Sequence, residues 1–249
     1  MSAKVWLVGA GPGDPELLTL KAVRALREAD VVLIDDLVNS AVLEHCPTAR
    51  VIPVGKRGGC RSTPQAFIHR LMLRYVRQGK CVVRLKGGDP CIFGRGGEEA
   101  DWLRVHGVDV ELVNGITAGL AGATQCGISL TLRGISRGVT LVTAHTQDDS
   151  TLNWQALAQG GTTLVVYMGV AKLAEIRNSL ISGGMALTMP VAMIENASLP
   201  QQRECRSSLA DMQRDAALFE LKSPAILVIG EVAAVTEIDL LQLAESKTA

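Results

Sequence analysis

Cationic side chains set among glycines dominate the stretch of this sequence with the clearest capacity for chemistry, Arg84-Leu-Lys-Gly-Gly-Asp-Pro-Cys-Ile-Phe-Gly-Arg-Gly-Gly-Glu-Glu99. Its five glycines and one proline describe a turn whose main chain must approach something closely, and an ordinary strand-to-helix connection would not need so many glycines. Arg95 and Glu98 are spaced to face one cleft across that turn. The surrounding sequence is strongly basic. Residues 50–106 hold 12 basic and 4 acidic side chains, a net of +8, whereas the rest of the chain holds 13 and 21, a net of −8. Arg70, Arg74 and Arg77 recur at helical spacing and read as a solvated face. Arg57, Arg61, Arg84, Lys86 and Arg95 fall in or beside loops. With Arg133 and Arg137 they are candidates to line a cleft for a polyanion, because guanidinium forks match carboxylates. A nucleic acid is the competing partner, but aromatic residues make up only 3% of the chain and no binding motif accompanies the cations.

Three further loops carry backbone-rich signals. Gly9-Ala-Gly-Pro-Gly-Asp14 stands where a nucleotide loop would, between a strand and a helix, yet Asp14 occupies the sixth position of a dinucleotide fingerprint and no Gly-Lys-Ser/Thr follows. Pro12 removes a backbone donor and Asp14 adds negative charge, so the loop suits close approach to an uncharged or cationic ligand rather than a phosphate. A Gly/Pro turn into a capped helix explains the same residues on fold grounds alone. Thr117-Ala-Gly119 opens a helix with a hydroxyl and free N–H groups, either as a simple cap or as a contact to a carboxylate or ribose. Met168 follows a strand, where it serves as core or as a cover for an adenine ring. Residues 195–203 are polar directly after another strand.

These loops need elements to hold them. Apolar β-branched runs at 5–8, 31–34, 51–54, 81–85 and 110–113 predict strands, and a stripe of Leu17, Leu18, Leu20, Val23 and Leu26 after Asp14 and Pro15 predicts a helix. A second helix is expected from Thr63 and Pro64 to Gly79. A second series follows, with a helix from Thr117, strands at 139–143, 164–167, 191–194 and 225–229, and an antiparallel strand within 201–206. The fold class is therefore α/β, as two domains, 1–113 and 114–249, with mainly parallel or mixed sheets and a ligand cleft expected at their junction.

Composition excludes several classes. The 25 basic and 25 acidic residues, 47% hydrophobic content and 25 glycines describe an ordered globular chain, neither disordered nor collagen-like. The six cysteines show no C-x-x-C pair or zinc spacing, so no metal site is expected and reduced thiols of a cytoplasmic protein are. The uncharged run 112–132 carries Asn114, Gln125 and four glycines, which disfavours a membrane span.

Val8-Gly-Ala-Gly-Pro-Gly-Asp-Pro-Glu-Leu-Leu-Thr19, Gly55-Lys-Arg57, residues 84–99, Val113-Asn-Gly-Ile-Thr-Ala118, Tyr167-Met-Gly169 and Glu195-Asn-Ala-Ser198 together resemble the tetrapyrrole methylase family. The resemblance spans almost the whole chain. It implies a homodimeric, S-adenosylmethionine-dependent C-methyltransferase that converts uroporphyrinogen III to precorrin-2 through precorrin-1 by methylation at C2 and C7. It also implies donor contacts at Pro12, Gly87, Gly88, Asp89 and Ile92, and at Thr117, Ala118, Met168, Ala197 and Ala225. Arg95 and Arg133 would clamp the substrate, Glu98 would orient Arg95 or assist proton removal, Arg57, Arg61 and Lys86 would bind the tetrapyrrole carboxylates, and Asp36 is a further substrate-site candidate. Ser129-Leu-Thr-Leu-Arg133 stands where relatives often carry Pro and His, so no histidine role transfers there. Other members of the family and a dinucleotide-dependent oxidoreductase are the alternative readings.

Overall fold

The computed structural model describes residues 3–55, 63–145 and 152–234. The chain packs as two compact units, 1–118 and 119–249. The division falls after Ala118 rather than after Val113 because Gly115 and Thr117 pack on Gly9 and Gly88, within the first unit.

In the first unit, β1 (Val5–Gly9), β2 (Val31–Ile34), β3 (Arg50–Pro53), β4 (Val82–Lys86) and β5 (Val110–Val113) form one all-parallel sheet in the order β3-β2-β4-β1-β5. Strand runs this continuously apolar are what a sheet covered on both faces requires. Alternation along β1 divides the core. Trp6 and Val8 pack with Ala22, Ala25 and Leu26 of α1 (Leu20–Arg27), while Val5 and Leu7 pack with Ile68 and Met72 of α2 (Gln65–Arg77) and Ala100 and Leu103 of α3 (Gly96–Val105). Each fully buried aliphatic side chain contributes about 1.5–3 kcal/mol, which outweighs the helix propensities involved.

Two expected helices differ in their starts. Asp14 does cap, accepting from the Glu16 N–H at 2.9 Å, but only a single 3-10 turn, Pro15–Leu17, follows. Leu18 is extended, and Thr19 caps a new helix by accepting from the Ala22 N–H at 3.1 Å. That restart shifts the helical phase, so Leu20, expected on the buried stripe, is 90% exposed. The second helix begins at Gln65 after Pro64, and the Thr63 hydroxyl donates to the Gly55 carbonyl at 3.4 Å instead of capping. Gly79, left-handed at φ +77, ends it. Arg70, Arg74 and Arg77 face solvent.

In the second unit, α4 (Ala118–Gln125) precedes a mixed sheet of β6 (Val139–Thr143), β7 (Thr163–Tyr167), β8 (Pro190–Glu195), β9 (Arg203–Ser208) and β10 (Ala225–Ile229) in the order β6-β7-β10-β8-β9. β6 and β7 are parallel, and the remaining pairs are antiparallel. The strand expected within 201–206 is β9, registered Arg203 to Glu195. One face of this sheet packs Leu164, Val166, Met193, Leu227 and Ile229 with Ile176 and Leu180 of α6 (Leu173–Ser182) and Met212 of α7 (Met212–Leu218); α5 (Trp154–Gln159) adds Trp154 and Leu157 at its margin. Gly119 and Gly122 of α4 lie over Val165, Tyr167 and Ile194, close enough that only small residues fit.

Gly97 and Gly119 each occupy the second position of a helix, but a Cβ at Gly97 meets nothing within 4 Å and one at Gly119 lies 2.5 Å from Val165 Cγ1 and collides with the Tyr167 hydroxyl. Gly97→Ala is expected to raise stability by about 0.5–1 kcal/mol. Gly119→Ala is expected to lower it by about 1–3 kcal/mol. Urea unfolding of both variants checks the contrast, and equal midpoints would contradict the packing described.

Candidate active site

All five strands of the first sheet run the same way, so the loops after β1, β2, β4 and β5 emerge at one edge, where parallel α/β sheets bind ligands. Their backbones interlock. Gly11 and Gly88 exchange hydrogen bonds, Gly11 N–H to the Gly88 carbonyl at 3.2 Å and Gly88 N–H to the Gly11 carbonyl at 2.7 Å. Both are left-handed, at φ +73 and +68, which is the reason for glycine at each. A Cβ on Gly9 would lie 2.6 Å from both the Gly115 nitrogen and the Gly88 oxygen. Pro12, Gly87, Gly88, Asp89, Thr117 and Ala118 are carried by these interlocked segments, and Ile92 follows with its N–H on the Asp89 carbonyl at 3.3 Å. Main-chain groups and small side chains make up most of this edge.

Asp89 is the buried anion that ties it. One oxygen accepts from the Cys91 N–H at 2.7 Å, and the other accepts from the Gly115 N–H at 3.0 Å and from the Asn114 amide at 3.4 Å. The chain then coils over the Pro90 carbonyl, which accepts from the Gly96 N–H at 2.8 Å. A Cβ on Gly94 or Gly96 would enter that carbonyl, at 2.7 and 2.6 Å. Phe93 and Arg95 both adopt left-handed φ, +53 and +58, a conformation disfavoured for residues with a Cβ. The coil presents Arg95 at the N-cap of α3, with its guanidinium on Glu98 at 2.6 and 3.0 Å, both side chains open to solvent. That hydrogen bond holds Glu98 below the ordinary carboxylate range and raises Arg95 further. Glu98 is therefore suited to orienting Arg95 and poorly suited to taking up a proton.

Lys86 and Arg84 correct the expectation of loop cations. Both lie on β4 and point inward between α2 and α3, 5% and 2% exposed. Arg84 donates to Asp35 at 2.6 Å and to Glu99 at 3.4 Å, and Lys86 donates to Glu99 at 3.2 Å with Asp35 at 3.8 Å. Burial, reinforced by the Arg84 charge, pushes Lys86 below the ordinary lysine range. An ammonium so enclosed and so paired is not displayed to a substrate. Asp36, just beyond the end of β2, is exposed and lies over Gly55, whereas its neighbour Asp35 is half-buried and ion-paired. Arg57 and Arg61 lie outside the described residues. The Asp35–Arg84–Lys86–Glu99 set was not found from sequence. The available signal was two cations two residues apart on a buried strand, which need anions from elsewhere.

In the second unit, the C-terminal ends of β7 and β8 lie at the same edge as the start of β10, because β10 runs opposite to both, with Ile226 against Tyr167 and Ala225 against Glu195. Met168, Ala197 and Ala225 therefore share one edge. Met168 is left-handed at φ +55 and half-exposed, and Ala197 is buried between Asn196 and Ser198, left-handed at +53 and +64. The Tyr167 hydroxyl accepts from the Gly119 N–H at 3.0 Å, which brings the first turn of α4 to the same place. Arg133 is exposed in a turn closed by Leu132 and Ser136. Among the described residues no cluster of side chains is fit to hold a metal ion, and no helix is long and apolar enough to cross a membrane.

Asp89→Asn tests the tie. However the amide turns, its NH2 faces either the Cys91 or the Gly115 N–H, so stability should fall by about 1–3 kcal/mol in urea unfolding. An unchanged midpoint would show that the carboxylate does not hold these loops.

A family model described as Tetrapyrrole (Corrin/Porphyrin) Methylases matches residues 4–213. A uroporphyrinogen-III C-methyltransferase of Pseudomonas aeruginosa is 77% identical over 232 residues, 93% of this chain and 95% of that protein. A siroheme synthase of Xylella fastidiosa is 48% identical across 95% of this chain and 50% of its own length. Among solved structures, the uroporphyrin-III C-methyl transferase of Thermus thermophilus complexed with S-adenyl homocysteine is similar with a TM-score of 0.81 at 43% identity, covering 94% of this chain and 100% of that one. With a family model matched from residue 4 to 213 and a 77% identical relative aligned over 95% of its length, this chain belongs to the tetrapyrrole methylase family.

Proposed function

We propose that the chain is an S-adenosylmethionine-dependent C-methyltransferase that methylates uroporphyrinogen III at C2 and C7, giving precorrin-2 by way of precorrin-1. The observation that carries this reading is the glycine cradle at the first sheet edge, where three loops approach so closely that a Cβ at Gly9 has no room. Such a cradle offers main-chain donors and acceptors to an amino-acid end and a nucleoside, and the loop after β1 lacks the Gly-Lys-Ser/Thr sequence with which a P-loop holds phosphates. Pro12, Gly87, Gly88, Asp89, Ile92, Thr117 and Ala118 of the first unit, with Met168, Ala197 and Ala225 of the second, are the residues proposed to hold the donor. When bound, S-adenosylmethionine supplies a methyl group activated by the positive charge of its own sulfonium.

The protein's part is then mainly positioning. Arg95, held by Glu98 and still open to solvent, takes a substrate carboxylate, as does Arg133, and guanidinium forks fix such groups with geometric specificity. Arg57 and Arg61 remain proposed carboxylate ligands. Lys86 is withdrawn from that set because its ammonium is consumed inside the protein. A homodimer in the cytoplasm, serving cobalamin, sirohaem or haem d1 formation, completes the proposal.

Anaerobic incubation of the chain with S-adenosylmethionine and uroporphyrinogen III should yield a product two methyl groups heavier by mass spectrometry; no addition, or a single one as the end point, would overturn the assignment. Arg95→Ala should lower turnover by about hundredfold or more while leaving S-adenosylhomocysteine affinity, measured by calorimetry, unchanged. Loss of that affinity instead would place Arg95 with the donor rather than the substrate.

A further inference from the structure

One heavily bonded, fully buried charged group in the first unit, Glu99, takes no part in the mechanism above. Glu99 is fully buried, and three donors from two elements converge on its Oε1: Gln65 of α2 at 2.6 Å, and Lys86 and Arg84 of β4 at 3.2 and 3.4 Å. Its other oxygen, Oε2, is buried with no hydrogen-bond partner among the described residues. Arg84 is fixed in turn by Asp35 at 2.6 Å and by the carbonyls of Leu33 and Leu85 at 3.4 and 3.3 Å. Gln65 lies 3.2 Å from the His69 ring, which stacks on Trp102 of α3.

Stability alone does not account for this arrangement. Buried ion sets stabilise little compared with apolar residues of the same volume, and an orphaned carboxylate oxygen subtracts from what they give. A costly buried group that is kept regardless points to a geometric role. The geometry here is specific. Glu99 stands in the first turn of α3 beside Glu98, and neighbours on a helix face different ways, so one carboxylate enters the network while the other holds Arg95 at the surface. Lys86 is the last residue of β4 and is followed directly by Gly87-Gly88-Asp89.

We propose that Glu99 is a positioning residue for methyl transfer: it pins the turn that carries Arg95 and Glu98 to the end of the strand that carries the donor loop, and so sets the distance between substrate clamp and methyl donor. The inference rests on the methyltransferase reading above. Glu99→Gln keeps the shape, but removes the negative charge that pairs with Arg84 and Lys86 and places an amide where donors converge. Glu99→Asp keeps the charge, so the two buried cations stay neutralised and the fold is retained, but it shortens the reach by one methylene.

Both variants of the full chain would be assayed anaerobically with uroporphyrinogen III, with turnover expressed per S-adenosylhomocysteine-binding site counted by calorimetry, which a purely structural loss does not move. The expected result is a fall in kcat per binding site of about hundredfold for Glu99→Gln and about tenfold for Glu99→Asp, at unchanged S-adenosylhomocysteine affinity, since displacements near an ångström cost that much. Wild-type turnover per site in Glu99→Asp overturns the proposal even if Glu99→Gln does not fold. So does a loss of activity that only tracks a loss of binding sites. An inactive wild-type chain that still binds S-adenosylhomocysteine would overturn the methyltransferase reading and this inference together, whereas an active wild type with equally active variants overturns this inference alone.

Discussion

Everything at the first sheet edge depends on how closely three strand ends approach one another. Gly9, Gly88 and Gly115 pack backbone on backbone, with no space for a side chain on Gly9 or Gly115. That proximity lets Asp89, on one loop, reach the N–H of Gly115 on another, and it lets Gly11 and Gly88 pair as though they were strand residues. The result is a rigid lip of main-chain groups assembled from segments far apart in sequence. Rigidity matters for a reaction whose electrophile arrives already activated, because the remaining barrier is one of alignment. The left-handed Phe93 and Arg95 extend the same logic, since they sit in a coil closed over the Pro90 carbonyl that leaves few other conformations.

The sequence made much of the framework legible. Strands buried on both faces write themselves as unbroken apolar runs, so β1, β2, β4 and β5 could be placed within a residue or so, and the glycine-rich loops after them followed from the turns they must make. The break at Leu18 was not legible, because Leu17 and Leu18 extend the apolar period of α1 without belonging to it, and the Thr19 cap that decides the matter is anchored by the distant Asn114 carbonyl. The fate of Lys86 was hidden for a related reason. Its partners Glu99 and Asp35 come from another helix and another strand end, and only the fold shows that all three side chains converge on one interior point.

That convergence also revises the meaning of the basic stretch. A net of +8 between residues 50 and 106 suggests a cationic surface, but Arg84 and Lys86 are spent internally and the helix α2 arginines are dispersed on a solvated face. The charge available to an anionic ligand at the described edge is thus concentrated in few groups, Arg95 foremost, and its placement matters more than the sum.

The bond from Gly119 to the Tyr167 hydroxyl has a practical consequence. The chain contains only two tyrosines, and Tyr167 stands at the edge of the second unit, directly before Met168. Its ring is therefore a magnetic reporter built into that edge. Selective labelling of the ring carbon that bears the hydroxyl gives one resonance per tyrosine, one of them from the ring whose hydroxyl accepts from the first turn of α4, so changes in that turn can be followed without attaching a dye.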